Sequence, residues 1–441
     1  MSDHVLYVGG EDHHSRIPFL LAIQRCGFRV TAAGSGPAEP FRKAGIEFRR
    51  FNFDRFVSPL SDLRSIRALA DLLRDVRPDL AQAYDAKPCL MLPLAALLAK
   101  TGTKTIRTMC GRGWVYSPGS MAAVAIRPAF HILHRIASWS TAATVFEIED
   151  DHSFFDRRGN VGKNGIVIPA GGGGIDAEGF ERALDASASR EDVRRSLGLS
   201  NAEIVITVGR MTRQKGILTL LKAAALVHAE RPDVRFLLVG PRESEGPWAV
   251  SQAELDSHAP YVITTGPRSD IPALLRAADL FAFPTEYREG IPRALLEAAM
   301  TRLPIVATSM PGCCAFIRDC WNGHLVPPRA PEALARAIIK TLENRNTLPA
   351  MTARALERAK REFSLTAIVE RHAILYARLL SETPNPRTHA RLESSVSLSD
   401  GAIANACARF RHEMVLRTEI AQELRPHHQS DRASDVSDRP A

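Results

Sequence analysis

The sequence predicts an α/β protein made of two Rossmann-like domains, whose parallel sheets face a cleft between them. Short apolar runs alternate with helix-like stretches from Val5 onward, as in parallel strands joined by right-handed helical crossovers. The alternation restarts after a polar stretch, Glu181–Arg195. A length of 441 residues also exceeds what one core ordinarily holds. Because ligands of such sheets bind at the carboxyl ends of the strands, we expect the active site in the cleft.

The first half contains four apolar runs of strand length with helical patterns between them. The runs predict strands at Val5–Val8, Phe28–Ala32, Leu80–Ala83 and Thr105–Met109. The intervening patterns predict helices at Ile17–Cys26, Leu63–Val76 and Leu90–Leu98. This order of strands and helices is typical of a parallel sheet.

The second half repeats the pattern more clearly. Strands are predicted at Ile204–Val208, Phe236–Val239, Val262–Thr264, Leu280–Phe283 and Ile305–Ala307. Helices are predicted at Leu218–Ala229, Pro272–Ala278, Pro292–Met300 and Pro331–Leu342. Three of these helices begin with proline, which the first helical turn tolerates.

Changes in composition give the predicted domain boundaries. We expect a first domain over residues 1–180 and a second domain over 181–362. An amphipathic helix at 363–382 should pack back on the first domain. The tail, 383–441, is rich in Ser, Pro, His, Asp and Arg, which predicts a largely disordered segment.

Composition limits the classes of partner and the cellular compartment that we expect for this protein. The net charge of +8 suits an anionic partner: a nucleotide, a phosphorylated substrate or an acidic membrane surface. No aromatic-rich basic segment or zinc-finger spacing favours nucleic acid. The seven cysteines include no Cys-x-x-Cys pair, so neither a disulfide framework nor a zinc site is expected. A strand pattern that starts within four residues leaves no room for a signal peptide, which predicts a cytoplasmic protein.

The loop after the first strand of the second half carries the strongest chemical pattern. Gly209 lets the backbone approach a ligand, and Arg210 and Lys215 add two cations just before a helix N-terminus. Two cations beside helix amides suit a diphosphate that gains charge as its bond to a sugar breaks. An ordinary solvated turn would have a similar composition, and the loop alone does not decide between them.

A second pattern pairs two carboxylates eight residues apart. Glu289 lies on a loop after a strand, and Glu297 lies on the second turn of the following helix. A carboxylate accepts two hydroxyl hydrogen bonds, which suits a sugar or a ribose. The backbone amides of Gly290 and Ile291 could hold a phosphate or sugar oxygen. The alternative is a helix-terminal charge with a surface glutamate.

These patterns together resemble the retaining glycosyltransferases of family four, which have the GT-B fold. The similar segments are 208–216, 266–272, 287–297 and 311–327, with a looser likeness at 168–180 and upstream. Residues 14–18 and 87–88 are similar to members that act on lipid-diphosphate-linked sugars in bacterial glycan assembly. The likeness covers roughly residues 4–380.

The resemblance implies a role for each matching residue. Arg210 and Lys215 would bind the donor diphosphate, Glu289 the donor sugar and Glu297 the ribose, while Arg268 would lie near the base. It further implies transfer with retention from a UDP-sugar to a glycan or lipid-linked saccharide, in which a phosphate oxygen takes the acceptor proton. No Asp-x-Asp is present and Arg210 and Lys215 supply positive charge, so no metal and no cofactor are expected.

The acceptor side is predicted less specifically. The candidates follow strands or begin helices of the first half, although each is also an ordinary structural residue: Gly9, Gly10, His13, His14, Arg16, Lys87 and Arg112. Cys110 occupies a position where many relatives carry histidine, so any role of that histidine is altered or lost.

Two further questions stay open at this stage. The segment Met121–Ala137 combines apolar and basic residues, so it is either an interfacial helix on an acidic membrane or a buried crossover helix. Two other functions fit the same fold: a nucleotide-sugar epimerase or hydrolase, and a sugar-nucleotide-binding protein without activity. Turnover without an acceptor would favour the first, and tight nucleotide binding without turnover would favour the second.

Overall fold

The computed structural model describes residues 2–54, 58–112, 114–116, 121–170, 173–242, 246 and 248–381. Residues Met1–Pro386 form one compact unit that contains both predicted sheets. The predicted tail at 383–441 lies outside the described residues. The predicted boundaries between domains stay predictions.

The first sheet has seven parallel strands in the order β3-β2-β1-β4-β5-β6-β7. They are β1 (His4–Gly9), β2 (Arg29–Gly34), β3 (Glu47–Arg50), β4 (Leu80–Tyr84), β5 (Lys104–Met109), β6 (Ala143–Phe146) and β7 (Gly165–Val167). The helices between them are α1 (Ile17–Arg25), α2 (Glu39–Lys43), α3 (Pro59–Val76), α4 (Ala86–Ala99), α5 (Met121–Trp139) and α6 (Glu149–Asp156).

The second sheet has six parallel strands in the order β10-β9-β8-β11-β12-β13. They are β8 (Glu203–Val208), β9 (Val234–Val239), β10 (Val262–Thr264), β11 (Leu280–Phe283), β12 (Ile305–Thr308) and β13 (His324–Val326). Its helices are α7 (Ala177–Asp185), α8 (Arg190–Ser196), α9 (Ile217–Glu230), α10 (Gln252–Asp256), α11 (Ile271–Ala277), α12 (Arg293–Met300), α13 (Pro311–Phe316), α14 (Pro331–Glu343) and α15 (Leu348–Glu362).

The two parallel sheets confirm the predicted α/β class. Strand order reverses beside β1 in one sheet and beside β8 in the other, and each of these strands ends in a glycine-containing loop. Central strands such as β1 and β4 are buried along their whole length, since helices cover both faces of a parallel sheet. Apolar runs therefore mark them in the sequence. The edge strand Glu47–Arg50 was not predicted because it is polar and largely exposed.

The last described helix, α16 (Leu365–Ser381), packs on the first sheet rather than the second. The Tyr376 hydroxyl donates a hydrogen bond to the side-chain oxygen Oε1 of Gln82 and lies 3.0 Å from the Tyr7 hydroxyl. The Gln82 amide in turn donates to Thr108 at 2.6 Å. Buried polar groups need partners, so this network fixes where the helix docks.

The chain passes between the halves twice, side by side. Ile175 donates its backbone N–H to the Phe363 carbonyl at 2.9 Å, and Leu365 donates to the Ile175 carbonyl at 2.7 Å. Gly174, in the left-handed region at φ 62°, packs so closely that a Cβ there would lie 2.7 Å from the Phe363 oxygen. The two segments that connect the halves therefore run side by side, joined by backbone hydrogen bonds, beside the cleft.

Candidate functional site

The loop that follows β8 is held in one conformation at Gly216. Gly216 has φ of 71°, and a Cβ at this position would lie 1.8 Å from the Pro284 carbonyl oxygen. Only glycine adopts that conformation at such a close approach without strain. The Thr212 hydroxyl accepts a hydrogen bond from the Lys215 backbone N–H at 3.3 Å. Lys215 is therefore presented from a rigid turn at the start of α9.

Lys215 and Glu289, which are 74 residues apart, form an ion pair at the carboxyl edge of the second sheet. The Lys215 ammonium donates to both Glu289 oxygens, at 2.6 and 2.7 Å. The Thr285 hydroxyl also donates to Glu289, at 3.2 Å. Both charged side chains are largely buried. The residues predicted to hold the diphosphate and the donor sugar are thus direct neighbours.

Backbone contacts with two neighbouring segments support the Glu289 loop. Glu286 donates its N–H to the Gln214 carbonyl at 2.9 Å, which joins this loop to the lysine loop. At Gly312, in α13, a Cβ would lie 2.1 Å from the Gly290 carbonyl oxygen and 2.7 Å from that of Glu289. The sequence did not reveal this role of Gly312, because the need for a small residue arises only once β11 and β12 are adjacent.

The other donor-side candidates lie around this pair. Arg210 is exposed at the end of β8. Burial first, and then Glu289, raise the pKa of Tyr287, and the charge of Arg210 offsets part of that rise. Glu297 lies one turn into α12, nearly buried, with an ion pair to Arg293 at 2.9 Å. Burial raises the pKa of Glu297, and Arg293 offsets only part of that rise. Arg268 is half exposed and pairs with Asp270 at 2.6 Å.

Two cavities open between the halves. The larger, of about 240 Å³, is lined by Arg16, Cys110 and Glu147 from the first half and by α12 from the second. The smaller, of about 160 Å³, places Asp85 and the Cys110–Gly111 loop opposite Tyr287, Arg288 and Glu289. Glu289, held by Lys215, therefore borders a gap whose other wall is formed by loops of the first sheet.

Comparison with known proteins shows that the chain is similar to bacterial glycosyltransferases. Over 377 residues the chain is 24% identical to the N,N'-diacetylbacillosaminyl-diphospho-undecaprenol alpha-1,3-N-acetylgalactosaminyltransferase of Campylobacter jejuni, covering 85% of this chain and 97% of that protein. It is 25% identical over 295 residues to the UDP-Gal:alpha-D-GlcNAc-diphosphoundecaprenol alpha-1,3-galactosyltransferase of Escherichia coli, covering 66% and 73%. The Anabaena HepE structure in complex with UDP superimposes with a TM-score of 0.70 at 18% identity, over 86% of this chain and all of HepE.

Two family models divide the chain as the two sheets do. A glycosyl transferase 4-like domain matches residues 20–171, and a group 1 glycosyl transferase model matches residues 202–344. The chain is a GT-B glycosyltransferase of the family-four type. The predicted enzyme class is confirmed over the epimerase, hydrolase and inactive alternatives, and enzymes of this family use nucleotide-sugar donors.

On the acceptor side of the glycosyltransferase, the histidines differ sharply in environment. His13 is buried against Phe41, and neither ring nitrogen has a hydrogen-bond partner within the described residues. Burial lowers the pKa of His13 to about 3, so its ring is neutral. A Cβ at Gly9 would overlap the His13 ring. His13 therefore packs under the β1 loop, whereas His14 is exposed.

Arg16 is the acceptor-side candidate that lines the cleft. Its guanidinium stacks on Tyr84 at 4.5 Å and lies 3.6 Å from Asp85. Two of its nitrogens, Nε and Nη1, have no hydrogen-bond partner in the described part of the chain. Burial opposes its charge, but Asp85 leads the neighbours that raise the pKa of Arg16 above the ordinary value. Asp85 also accepts from the Gly10 N–H at 2.9 Å.

Lys87 and Arg112 are held in ion pairs. Lys87 contacts Asp62 of α3 at 2.6 Å. Arg112 contacts Asp150 at 2.5 Å and Asp151 at 2.8 Å. Asp150 also pairs with Arg288, so these contacts join the first half to the loop that carries Glu289. In this conformation Asp150 bridges the cleft through Arg288 and Arg112 holds Asp150 in place, while Lys87 ties α4 to α3.

Glu147 is a cleft residue that the sequence did not single out. It is buried directly after β6, and a Cβ at Gly290 would lie 1.7 Å from its Oε2 atom. Burial first, and then Glu147, raise the pKa of the Cys110 thiol, which therefore stays protonated. The signal in the sequence is a carboxylate directly after a strand, but Glu149, Asp150 and Asp151 follow it, and the run has the pattern of ordinary helix N-terminal charge.

Proposed function

We propose that this glycosyltransferase moves a sugar, with retention, from a UDP-sugar to a lipid-diphosphate-linked saccharide or related glycan. The observation that carries the proposal is the Lys215–Glu289 pair at the sheet edge, facing loops of the other half across a gap. A cation for the diphosphate and a carboxylate for the sugar stand side by side there, as transfer of a glycosyl group requires.

The donor-side chemistry follows from these groups. Negative charge collects on the diphosphate as the bond between the sugar carbon and the phosphate oxygen breaks. Lys215 and Arg210 would stabilise that charge, with the Gly290 and Ile291 amides at the start of α12. Glu289 would accept hydroxyl hydrogen bonds from the donor sugar, and Glu297 those of the ribose. Arg268 would contact the base.

The acceptor hydroxyl would attack on the face that the diphosphate leaves. Its oxygen bonds to the sugar carbon, the electron pair of the broken bond goes to the phosphate oxygen, and that oxygen takes the hydroxyl proton. This route needs no protein base, in keeping with a neutral, buried His13 and a protonated Cys110. It also assigns charge neutralisation to Arg210 and Lys215 rather than to a metal ion.

The acceptor class is proposed from the relatives and from the cleft. Both bacterial relatives are named for diphospho-undecaprenol-linked saccharides. Arg16 and Glu147 line the larger cavity between the halves, and the Gly10 N–H donates to Asp85, which lines the smaller one. Donors and acceptors of this kind would bind sugar hydroxyls. His14, exposed beside them, would lie at the entrance.

A transfer assay tests this proposal. The purified full chain is offered labelled UDP-, GDP- and dTDP-sugars with and without polyprenyl-diphosphate-linked saccharides. We expect an acceptor-dependent lipid product with the donor's anomeric configuration, unchanged by a metal chelator, and abolished in Glu289→Gln. Release of free sugar without any lipid product, or an inverted linkage, would contradict it. UDP at a hundred times its Kd should stabilise the chain by about 2.7 kcal/mol.

We propose further that α5 rests on an acidic membrane surface, at the inner face of the cytoplasmic membrane. Its outer face exposes large apolar side chains along the whole helix: Met121, Val124, Ile132, Leu133 and Trp139. Arg135 lies on this face beside the basic loop Arg157–Lys163, since its guanidinium would contact a Cβ at Gly159. An apolar stripe bordered by cations suits anionic lipid. No helix within the described ranges is long and apolar enough to cross a bilayer.

Vesicle flotation tests the membrane contact. Trp139 is 71% exposed on α5, and Trp248, 55% exposed in the second half, is its matched control. We expect the full chain to float with phosphatidylglycerol vesicles, the bound fraction to fall about tenfold in Trp139→Asp, and no change in Trp248→Asp. Equal binding by both variants, equal binding to neutral vesicles, or a dimer that Trp139→Asp dissociates would contradict the proposal.

A further inference from the structure

A surface turn before β13 brings three side chains of metal-binding type together, away from the cleft. Asp319, Cys320 and His324 each offer one atom, and these atoms all lie within 4.8 Å of one another. The cysteine Sγ is 3.8 Å from the histidine Nδ1, which is 4.0 Å from an Asp319 oxygen. A tetrahedral ion bound at about 2.0–2.3 Å holds its ligand atoms about 3.3–3.6 Å apart, so small side-chain movements suffice.

The backbone of this turn fixes the three residues. Cys320 donates its N–H to the Gly323 carbonyl at 2.9 Å, and Asn322 Oδ1 accepts the Arg318 N–H at 2.7 Å. Asn322 is fully buried and also donates to the Phe316 carbonyl. Leu325 donates its backbone N–H at 2.9 Å to Asp319 Oδ1, the same oxygen that lies 4.0 Å from His324 Nδ1, so this hydrogen bond holds the carboxylate beside the histidine. The ligand atoms are therefore carried by a turn that is already folded.

We propose that Asp319, Cys320 and His324 bind a divalent transition-metal ion of the zinc class. A thiolate and an imidazole favour such an ion over magnesium or calcium, which take oxygen ligands. On binding, the thiol proton passes to solvent and a sulfur–metal bond forms. Three protein ligands leave one position for water.

This site would be separate from glycosyl transfer. His324 begins β13, an edge strand that pairs in parallel with β12. Parallel strands share their amino ends, so the turn lies at the opposite edge of the sheet from the Glu289 loop. A bound ion would clamp the turn to the edge strand, and it supplies no group to the reaction. The expectation of no zinc site rested on paired cysteines, which a Cys-x-x-x-His spacing does not need.

Cobalt absorption tests the site, with another cysteine of the same chain as the control. Co²⁺ is titrated into the reduced, metal-free full chain, and the sulfur-to-cobalt charge-transfer band is recorded. We expect the band in the wild type, its loss in Cys320→Ser, and a weakening of binding by at least about tenfold in His324→Ala and Asp319→Asn. Cys314→Ser, which removes another exposed thiol, should keep the band. Zn²⁺ should displace the cobalt.

Each contrary result is decisive. A wild type without the band, or a band that survives Cys320→Ser, would overturn the site. A band lost in Cys320→Ser but with unchanged affinity in His324→Ala would mean adventitious binding to one thiol, and would overturn it equally. Thermal unfolding of the metal-free variants checks that they are folded.

Discussion

The two walls of the cleft are built differently. On the donor side, residues far apart in sequence lie close together. Lys215 pairs with Glu289, and Gly216 and Gly312 pack closely against the backbone of the loop that carries Glu289. On the acceptor side, the candidates separate into different environments. His13 is buried, Lys87 and Arg112 are held in ion pairs, and Arg16 faces the cavity.

The proposed function accounts for this difference. A diphosphate offers the same charge and geometry whatever the sugar, so one arrangement of cations, amides and carboxylates serves it. Acceptors differ in their hydroxyl groups and linkages, so no fixed set of residue types is required of the first half. Single-residue changes should therefore have large effects on catalysis on the donor side and smaller ones on the acceptor side.

The largest effect is expected for Lys215→Ala. Loss of one preorganised contact to a developing charge typically costs about 10²–10³ in kcat. Glu289 would also be left without its main cation. Arg210→Ala should act in the same direction. Steady-state transfer kinetics with saturating acceptor measure the change, and chemical denaturation checks that the fold is retained.

The matched control is Lys222→Ala, which removes an exposed lysine from the same helix, α9. Its kcat should stay within about twofold of the wild type. If Lys215→Ala behaved like Lys222→Ala, the diphosphate assignment would be wrong. The donor side of the cleft would then be no better preorganised than the acceptor side.

Much of the donor wall could be predicted from the sequence because its parts are local. Glycines and cations after a strand, and a glutamate before a helix, can be recognised from the residues next to them in the sequence. Gly312, Glu147 and the Arg112–Asp150–Arg288 contacts could not be predicted, because they depend on which loops meet once both sheets are formed. Most central strands were predicted for the same reason of locality, whereas the edge strands β3, β7 and β13 were missed: each is short, and few of its side chains are buried.

The next largest effect is expected for Gly216→Ala. The left-handed conformation costs a non-glycine residue about 1–2 kcal/mol, and the close Pro284 oxygen adds a clash with backbone that has little room to move. We expect about 2–4 kcal/mol less stability against unfolding and weaker UDP binding. Urea denaturation with and without UDP measures both.

Gly198→Ala separates the two causes. Gly198 has φ of 69°, but a Cβ there would have no neighbour within 4 Å. This variant should lose only about 1–2 kcal/mol and keep its UDP affinity. Equal losses in the two variants would mean that the Pro284 contact contributes nothing to the shape of the loop.

Glu297 gives a pH-dependent prediction of intermediate size. Burial raises the pKa of Glu297 above 4.5. Folding therefore favours the protonated form, and its ionisation reduces stability as pH rises from 4.5 to that higher pKa. In the proposed assignment the ribose hydroxyls need the carboxylate, so the donor KM should rise as pH falls through the same range. Glu297→Gln should raise KM about tenfold at neutral pH, which is about 1.4 kcal/mol, and remove this pH dependence. A wild-type KM independent of pH between 4.5 and 7 would argue against the ribose contact.

The smallest effect is expected for Asp150→Asn, which tests whether the walls are coupled. Asp150 contacts Arg112 at 2.5 Å from its own half and Arg288 from the other. Its side chain is 44% exposed, and ion pairs at such positions contribute only about 0–1 kcal/mol. We expect kcat to change by no more than about threefold, and added salt to bring the wild type toward the variant, because screening weakens the same contacts. Glu357→Gln, which breaks an exposed pair with Arg361 within α15, should leave kcat and its salt dependence unchanged. If Asp150→Asn reduced kcat as strongly as Lys215→Ala, the acceptor wall would have to be regarded as equally preorganised, since a contact of this strength cannot by itself produce such a loss.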